Sequence, residues 1–248
     1  MRLPGDLDYA QARLAARFGE RPDEVAWRTI EAIRGLPALL EAARDLPFRR
    51  WIAALPGDAD AHAIEAALVA KRRAAVEEVA RWMPRAWKGA VEWAGVLAEL
   101  PVLEHLARRD KALPWMREDA LYGALCAGEG APTSGPLAPL AAGWERPDGL
   151  LPAWRREWLR RVPSTPCVRS ALIEALSRTL ASSRHISGYL PTGPSRAAIA
   201  ARLVLLFRRA TGDPATAFVY LALSALDLER LRGELLRRAL FSGFPLAA

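Results

Sequence analysis

The chain has few of the residues that build crosslinked or metal-bound proteins. Its 248 residues include only 2 cysteines and 3 histidines. Cys126 and Cys167 lie far apart and have no metal-ligating neighbours at close spacing. So few and so widely spaced cysteines are more typical of a protein in the reducing cytoplasm than of a protein held together by disulfides. We expect both thiols to be partly buried side chains without a chemical role.

Long apolar runs are also missing. Hydrophobic residues make up 52% of the chain, but charged residues interrupt them before any run reaches the roughly 18 to 20 residues of a membrane span. The N-terminal Met-Arg-Leu-Pro-Gly-Asp leads into a charged amphipathic pattern without the apolar centre of a signal peptide. We expect a cytoplasmic protein that does not insert into a membrane directly and that reaches one only as a peripheral part of a complex.

Sequence motifs of catalysis are not found. His62, His105 and His185 are isolated from one another, so no helix carries a histidine pair for a metal. The glycines at 128–130 and 188–193 lack the Lys-Ser/Thr of a phosphate-binding loop, and no Gly-x-Ser-x-Gly turn occurs. We predict no cofactor, no metal and no enzymatic activity. An enzyme whose site is assembled only by folding stays an open alternative.

Lysine is scarce, whereas arginine is abundant and clustered. Residues 134–212 contain 12 arginines and 4 acidic groups, a net charge of +8. Because the whole chain has a formal net charge of +7, the net charge of the remaining residues is near −1. A local basic surface implies an acidic partner, which can be a protein, an anionic lipid or a nucleic acid. The densest part carries four arginines, which are Arg155, Arg156, Arg160 and Arg161.

Two tryptophans lie among these arginines. Interleaved aromatic and basic residues can stack on bases and neutralise phosphates. On a helix, however, Trp154 and Trp158 are four residues apart and share one side, as in an amphipathic helix that packs on a core. We therefore keep nucleic acid only as an alternative partner and expect an acidic protein surface.

Helical periodicity dominates the chain, and alternation typical of strands is nearly absent. Asp6 is expected to cap a first helix and Asp58 a long one that runs to Trp82. Residues 127–152 contain ten glycines and prolines, too many for a long helix. The sequence predicts an all-α, multi-helix fold of two or three lobes packed as a funnel or socket. Its parts are an N-terminal lobe (1–126), an irregular linker (127–152) and a C-terminal lobe (153–248), with helices that include 166–186.

The last predicted helix, 214–241, carries two stripes. Its apolar stripe consists of Leu221, Ala225, Leu228, Leu231 and Leu235. The neighbouring stripe alternates in charge, with residues three or four apart that can pair with one another or be read by another protein. We predict that this stripe binds a partner together with the four arginines; its members are Asp227, Arg230, Glu234 and Arg237.

Both ends of the chain resemble one family. Near the N-terminus, Tyr9 precedes an Arg-x-x-x-Arg helix formed by Arg13 and Arg17, and a leucine-rich run follows at 36–40. Near the other end, an acidic-leucine motif enters a leucine- and arginine-rich helix at 226–232. These features are similar to those of the C subunit of V/A-type ATPases, called the d subunit in eukaryotes, and the chain resembles a divergent, shortened member.

The resemblance implies a mechanical role. Members of that family form an all-helical socket on the membrane rotor ring and receive the tip of the central shaft, and they perform no chemistry. The implied function is a non-catalytic connector, with central-stalk and membrane-ring subunits of a rotary ATPase as partners. The alternatives are a helical nucleic-acid-binding or regulatory module and, less favoured, an enzyme with a site assembled only in the fold.

Overall fold

A computed structural model describes residues 5–128, 130–163 and 196–241, and within these ranges all regular secondary structure is helical. The predicted all-α class is confirmed, and the funnel or socket shape stays a prediction. The helices are α1 (Gly5–Gly19), α2 (Glu24–Glu31), α3 (Leu36–Arg44), α4 (Arg49–Ile52), α5 (Ala61–Trp82), α6 (Arg85–Val96), α7 (Leu100–Ala107), α8 (Pro114–Glu118), α9 (Ala120–Ala127), α10 (Ala141–Trp144), α11 (Leu150–Arg161), α12 (Arg196–Arg209) and α13 (Ala215–Leu240).

Aspartates begin several of these helices. Asp23, Asp60 and Asp119 each accept backbone N–H groups from the first turns of α2, α5 and α9. The predicted cap of α5 at Asp58 is wrong by two residues, because Asp60 accepts the N–H of Ala63 at 2.7 Å. The predicted cap at Asp6 is also wrong, since α1 already includes Gly5.

The described helices form two apolar cores. The first core joins α1 and α6–α12 to the second half of α5 and the first half of α13. The second core joins α2, α3 and α4 to the first half of α5 and the second half of α13, where Leu231 and Leu235 are fully buried. Helices α5 and α13 pack along each other and therefore run through both cores.

The stretch 127–152, predicted as a linker, is folded onto the first core. A 3₁₀ turn at Ala138–Leu140 leads directly into α10, and Leu137, Leu140 and Trp144 are buried. Helix α11 begins inside this stretch and carries Pro152 in its first turn, where a missing N–H costs no helical hydrogen bond. The assignment of separate lobes to 1–126 and 153–248 stays a prediction.

A close backbone approach fixes the start of α11. A Cβ atom on Gly143 would lie 2.3 Å from the carbonyl oxygen of Gly149, and a Cβ on Gly149 would lie 2.4 Å from the oxygen of Gly143. Only glycine fits at both positions. Between them Asp148 has a φ of 56°, a left-handed conformation. The close approach of Gly143 and Gly149 therefore fixes the orientation in which α11 packs on α6.

Candidate functional site

Helix α11 has an inner and an outer side. Trp154 and Trp158 point inward, are each 1% exposed and stack on each other with 5.7 Å between ring centroids. They are therefore unavailable to stack on bases. The outer side carries the predicted arginines, here called the arginine face, which consists of Arg155, Arg156, Arg160 and Arg161.

Tryptophan hydrogen bonds hold the inner side against α6. The indole N–H of Trp93 donates to the carbonyl of Trp154, and the indole N–H of Trp154 donates to the carbonyl of Trp93, both at 2.9 Å. Trp158 donates to the carbonyl of Ala90 at 3.2 Å. We call Trp93, Trp154 and Trp158 the tryptophan clasp. Since a carbonyl oxygen has two lone pairs, these bonds add to the helical ones.

Glu157 is a buried carboxylate below the arginine face. It accepts two hydrogen bonds from Arg160, both at 2.7 Å, and one from Arg161 at 2.6 Å. The bonds from Arg160, against the opposing effect of burial and with the further help of the bond from Arg161, lower the pKa of Glu157 to about 2. Arg161 also lies over the ring of Trp93, 4.6 Å from its centroid. The arginine face is thereby anchored to the clasp while Arg160 stays 71% exposed at its side chain.

We expect Glu157→Gln to lower the free energy of unfolding by about 1 kcal/mol at neutral pH, a value kept small because solvent screens the arginines. A folded-state pKa below the unfolded value of about 4.5 stabilises the fold above that pH. The difference from the parent chain should then vanish as the pH falls from about 4.5 towards 2. Urea unfolding at a series of pH values measures this.

The control for this experiment is Glu41→Gln. Glu41 pairs with Arg44 at 2.7 Å on the surface, and its side chain is largely exposed. Its replacement should change stability by a few tenths of a kcal/mol at most. An equal loss in both variants, or a loss at Glu157 that does not depend on pH, would contradict a stabilising contact of Glu157 with Arg160 and Arg161.

The charged stripe of α13 has a different environment from the arginine face. Asp227 is 7% exposed and accepts two hydrogen bonds from Arg21, at 2.7 and 3.0 Å. Burial raises the pKa of Asp227, against the opposing effect of Arg21. Arg230 donates to Glu24 and Glu31 and covers the ring of Trp27 at 4.4 Å. These two residues thus join α13 to the N-terminal helices.

The end of the same stripe forms a second internal contact. Glu234 accepts hydrogen bonds from Arg237 at 2.8 Å and from Arg238 at 2.6 Å. Burial is the largest influence on Glu234 and opposes ionisation, yet the two arginines together hold its pKa below the usual value. Arg237 remains 43% exposed. Of the α13 residues predicted to bind a partner, it has the most accessible side chain.

Arg238, which the sequence reasoning passed over, lies deepest. Its guanidinium is buried and donates to the backbone carbonyls of Ile30, Glu31 and Ile33, at 3.1, 3.1 and 2.7 Å. These carbonyls belong to the end of α2 and the turn that follows it, where helical partners run out. Arg238 therefore caps α2 from a distant helix. Nothing in the local sequence distinguishes it from Arg237.

A cavity of about 530 Å³ opens beside the clasp. Trp154 and Trp158 form part of its wall, and the rest comes from α5, α6, α7, α12, α13 and the turns between them. Most lining side chains are apolar, with polar groups at Arg72 and Ser224 and carboxylates at the three residues Glu104, Asp148 and Glu229. Its size is typical of sites for small molecules.

Metal ligands do not cluster in the described ranges. No group of three or more histidine, cysteine or acidic side chains suited to a metal occurs there. Cys126 is a half-buried free thiol, whereas Cys167 and His185 lie outside the described residues, as does the predicted helix 166–186. Across the same ranges, none of the helices has the length and apolar character to cross a bilayer.

Comparison of the chain with protein-family models, curated proteins and solved structures found no match in any of the three. The resemblance to the rotary-ATPase C subunit therefore stays a prediction that rests on the quoted residues. Among the described residues, the arginine face and the cavity are the places where geometry bears on function.

Proposed function

We propose that this chain is a non-catalytic helical connector that binds an acidic protein surface through its arginine face. The observation that carries the proposal is the construction of α11. Its inner side is fixed by the tryptophan clasp, and its outer side presents exposed guanidinium groups at Arg155, Arg156 and Arg160. Four arginines and Glu157 leave a local charge of +3 on this helix.

Rigid presentation favours protein recognition. A guanidinium forms paired hydrogen bonds to a carboxylate, and an arginine held in place loses less conformational entropy on binding. Complementary charge also accelerates encounter between proteins. Nucleic-acid recognition by this helix would require Trp154 and Trp158 to stack on bases. Both side chains are buried and cannot do so.

At the family level we propose the connector role of the C subunit of V/A-type ATPases, between central-stalk and membrane-ring subunits. The support is the sequence resemblance at both ends together with the all-helical fold. Within the fold, Arg13 lies over Trp82 and Arg17 pairs with Glu78. The N-terminal arginines of the resemblance thus tie α1 to α5.

Reversing Arg156 and Arg160 to glutamate should remove the protein companions that co-purify with the native chain. Association should slow by about tenfold at low salt, because steering by the +3 surface is lost. Arg160 also pairs with Glu157, so we expect a stability loss of about 1 kcal/mol, which is small enough for the helical circular dichroism to be kept. Quantitative mass spectrometry of affinity-purified complexes, followed by binding kinetics with the recovered companion across a salt series, measures both effects.

The matched control reverses Arg208 and Arg209, two exposed arginines at the end of α12. These substitutions change the total charge equally and should leave the companions bound. Companions that survive the reversal on α11 would overturn the proposal. So would companions that are lost on nuclease treatment, which would assign the face to nucleic acid.

A further inference from the structure

The cavity beside the clasp contains polar atoms without partners. Ser224 is 3% exposed, and its Oγ has no hydrogen bond. Arg72 Nε and Nη2 are likewise buried and make no hydrogen bond. Nη2 lies 3.0 Å from a carboxylate oxygen of Glu99 but is not aligned to donate to it. Buried polar groups are normally paired, so the unpaired hydroxyl of Ser224, a residue that lines the cavity, indicates a missing partner.

Local charge limits what that partner can be. Arg72 and Arg73 are already balanced by Glu99 and Asp119, through ion pairs of 2.5 to 3.2 Å. The other charged side chains of the cavity are the three carboxylates Glu104, Asp148 and Glu229. An anionic head group would add to this negative charge. A charged head group of either sign would also lose its hydration against a mostly apolar lining, and a neutral group avoids that cost.

We propose that the cavity binds an uncharged, elongated apolar molecule that carries one oxygen acceptor, such as a hydroxyl or carbonyl group. The oxygen pairs with Ser224, whose Oγ turns into the cavity by rotation about χ1. The apolar body packs against the side chains of Val76, Leu151, Trp154, Leu203 and Phe218. The site is separate from the arginine face, so each can fail without the other.

Three probes of equal chain length test the head group. They are 1-octanol, octanoate and octylamine, titrated into the native chain and followed by tryptophan fluorescence and calorimetry. Trp154 and Trp158 line the cavity and should report occupancy. We expect 1-octanol to bind at least tenfold more tightly than either charged probe. Equal or tighter binding of octanoate or octylamine, or no binding of 1-octanol, would overturn the proposal.

Two variants locate the site. Ser224→Ala should weaken 1-octanol about fivefold, the loss expected for one hydrogen bond. Ala225→Phe places a ring in the cavity and should abolish binding, and Ala98→Leu serves the same purpose if the first variant does not fold. Val25→Phe, at an exposed position of α2, is the control. Unchanged affinity in all folded variants would show that 1-octanol binds elsewhere and would refute this site.

Discussion

Trp154→Ala should lower the free energy of unfolding by about 3 to 5 kcal/mol, the cost of emptying a large buried aromatic site. The loss combines two contacts of one side chain. The Trp154 ring stacks on Trp158, and its indole N–H donates to the carbonyl of Trp93. Urea unfolding followed by circular dichroism measures the change.

Trp154→Phe separates the hydrogen bond from the ring. Most of the apolar burial is kept, while the bond to Trp93 is lost, so we expect a smaller loss of about 1 kcal/mol. Trp93→Phe should behave alike. Because the two bonds are reciprocal, the double variant should differ from the sum of the two single ones. Strict additivity would mean that the clasp does not act as a unit.

The control on the same helix is Leu159→Ala. Leu159 is among the exposed apolar side chains, so its truncation should cost well under 1 kcal/mol. A similar loss at Leu159 and Trp154 would contradict the inward orientation of Trp154 on α11.

Arg238→Met should destabilise the chain by about 3 to 5 kcal/mol, as when one partner of a buried charged contact is removed. The carbonyls of Ile30, Glu31 and Ile33 would lose the guanidinium donor, in a site that is buried at Ile30 and part-buried at Glu31 and Ile33. Amide hydrogen exchange should show the loss first in α2, whose end Arg238 caps. Chemical denaturation gives the total.

The neighbouring residue provides the control. Arg237→Met removes the same charge one position earlier, but Arg237 makes a partly exposed bond to Glu234 only. Its replacement should cost about 0.5 kcal/mol or less. Arg238→Lys keeps the positive charge but lacks the planar set of N–H donors of a guanidinium. We expect it to be more stable than Arg238→Met and less stable than the parent chain. Similar values for all three variants would refute the capping role.

Helices were predictable where local patterns decide them. The repeat of Leu228, Leu231 and Leu235 predicted a buried face on the last helix, and this prediction is confirmed. The folded stretch at 127–152 was not predicted, because its order comes from the approach of Gly143 to Gly149 rather than from helical periodicity. Glycines and prolines indicate that the backbone of a segment is irregular. They do not indicate which helices that segment packs against.

The candidate site was predictable in part. The spacing of Trp154 and Trp158 indicated a shared inner side, and with it the outward direction of Arg156 and Arg160. The pairing of Asp227 with Arg21 was not predictable, since the two residues meet only through the fold. Sequence spacing showed that Asp227 could pair with residues of its own helix, but in the structure it pairs with Arg21 from the turn between α1 and α2.

The cavity has no signature in the sequence. Arg72, Ser224 and Trp158 come from three helices, and each fits an ordinary helical pattern. Only the tertiary arrangement leaves Ser224 unpaired in an apolar wall. Local rules therefore place the residues on helices but cannot reveal which gaps remain between those helices.

Helix α13 imposes an order on folding during synthesis. It contributes Phe218 and Leu223 to the first core and Leu231 and Leu235 to the second, yet it leaves the ribosome after all the other described helices. Neither core is complete before then, and the side of α5 that packs on α13 stays open to solvent or to chaperones that bind such surfaces. Completion of both cores is thereby coupled to one late event, the arrival of α13.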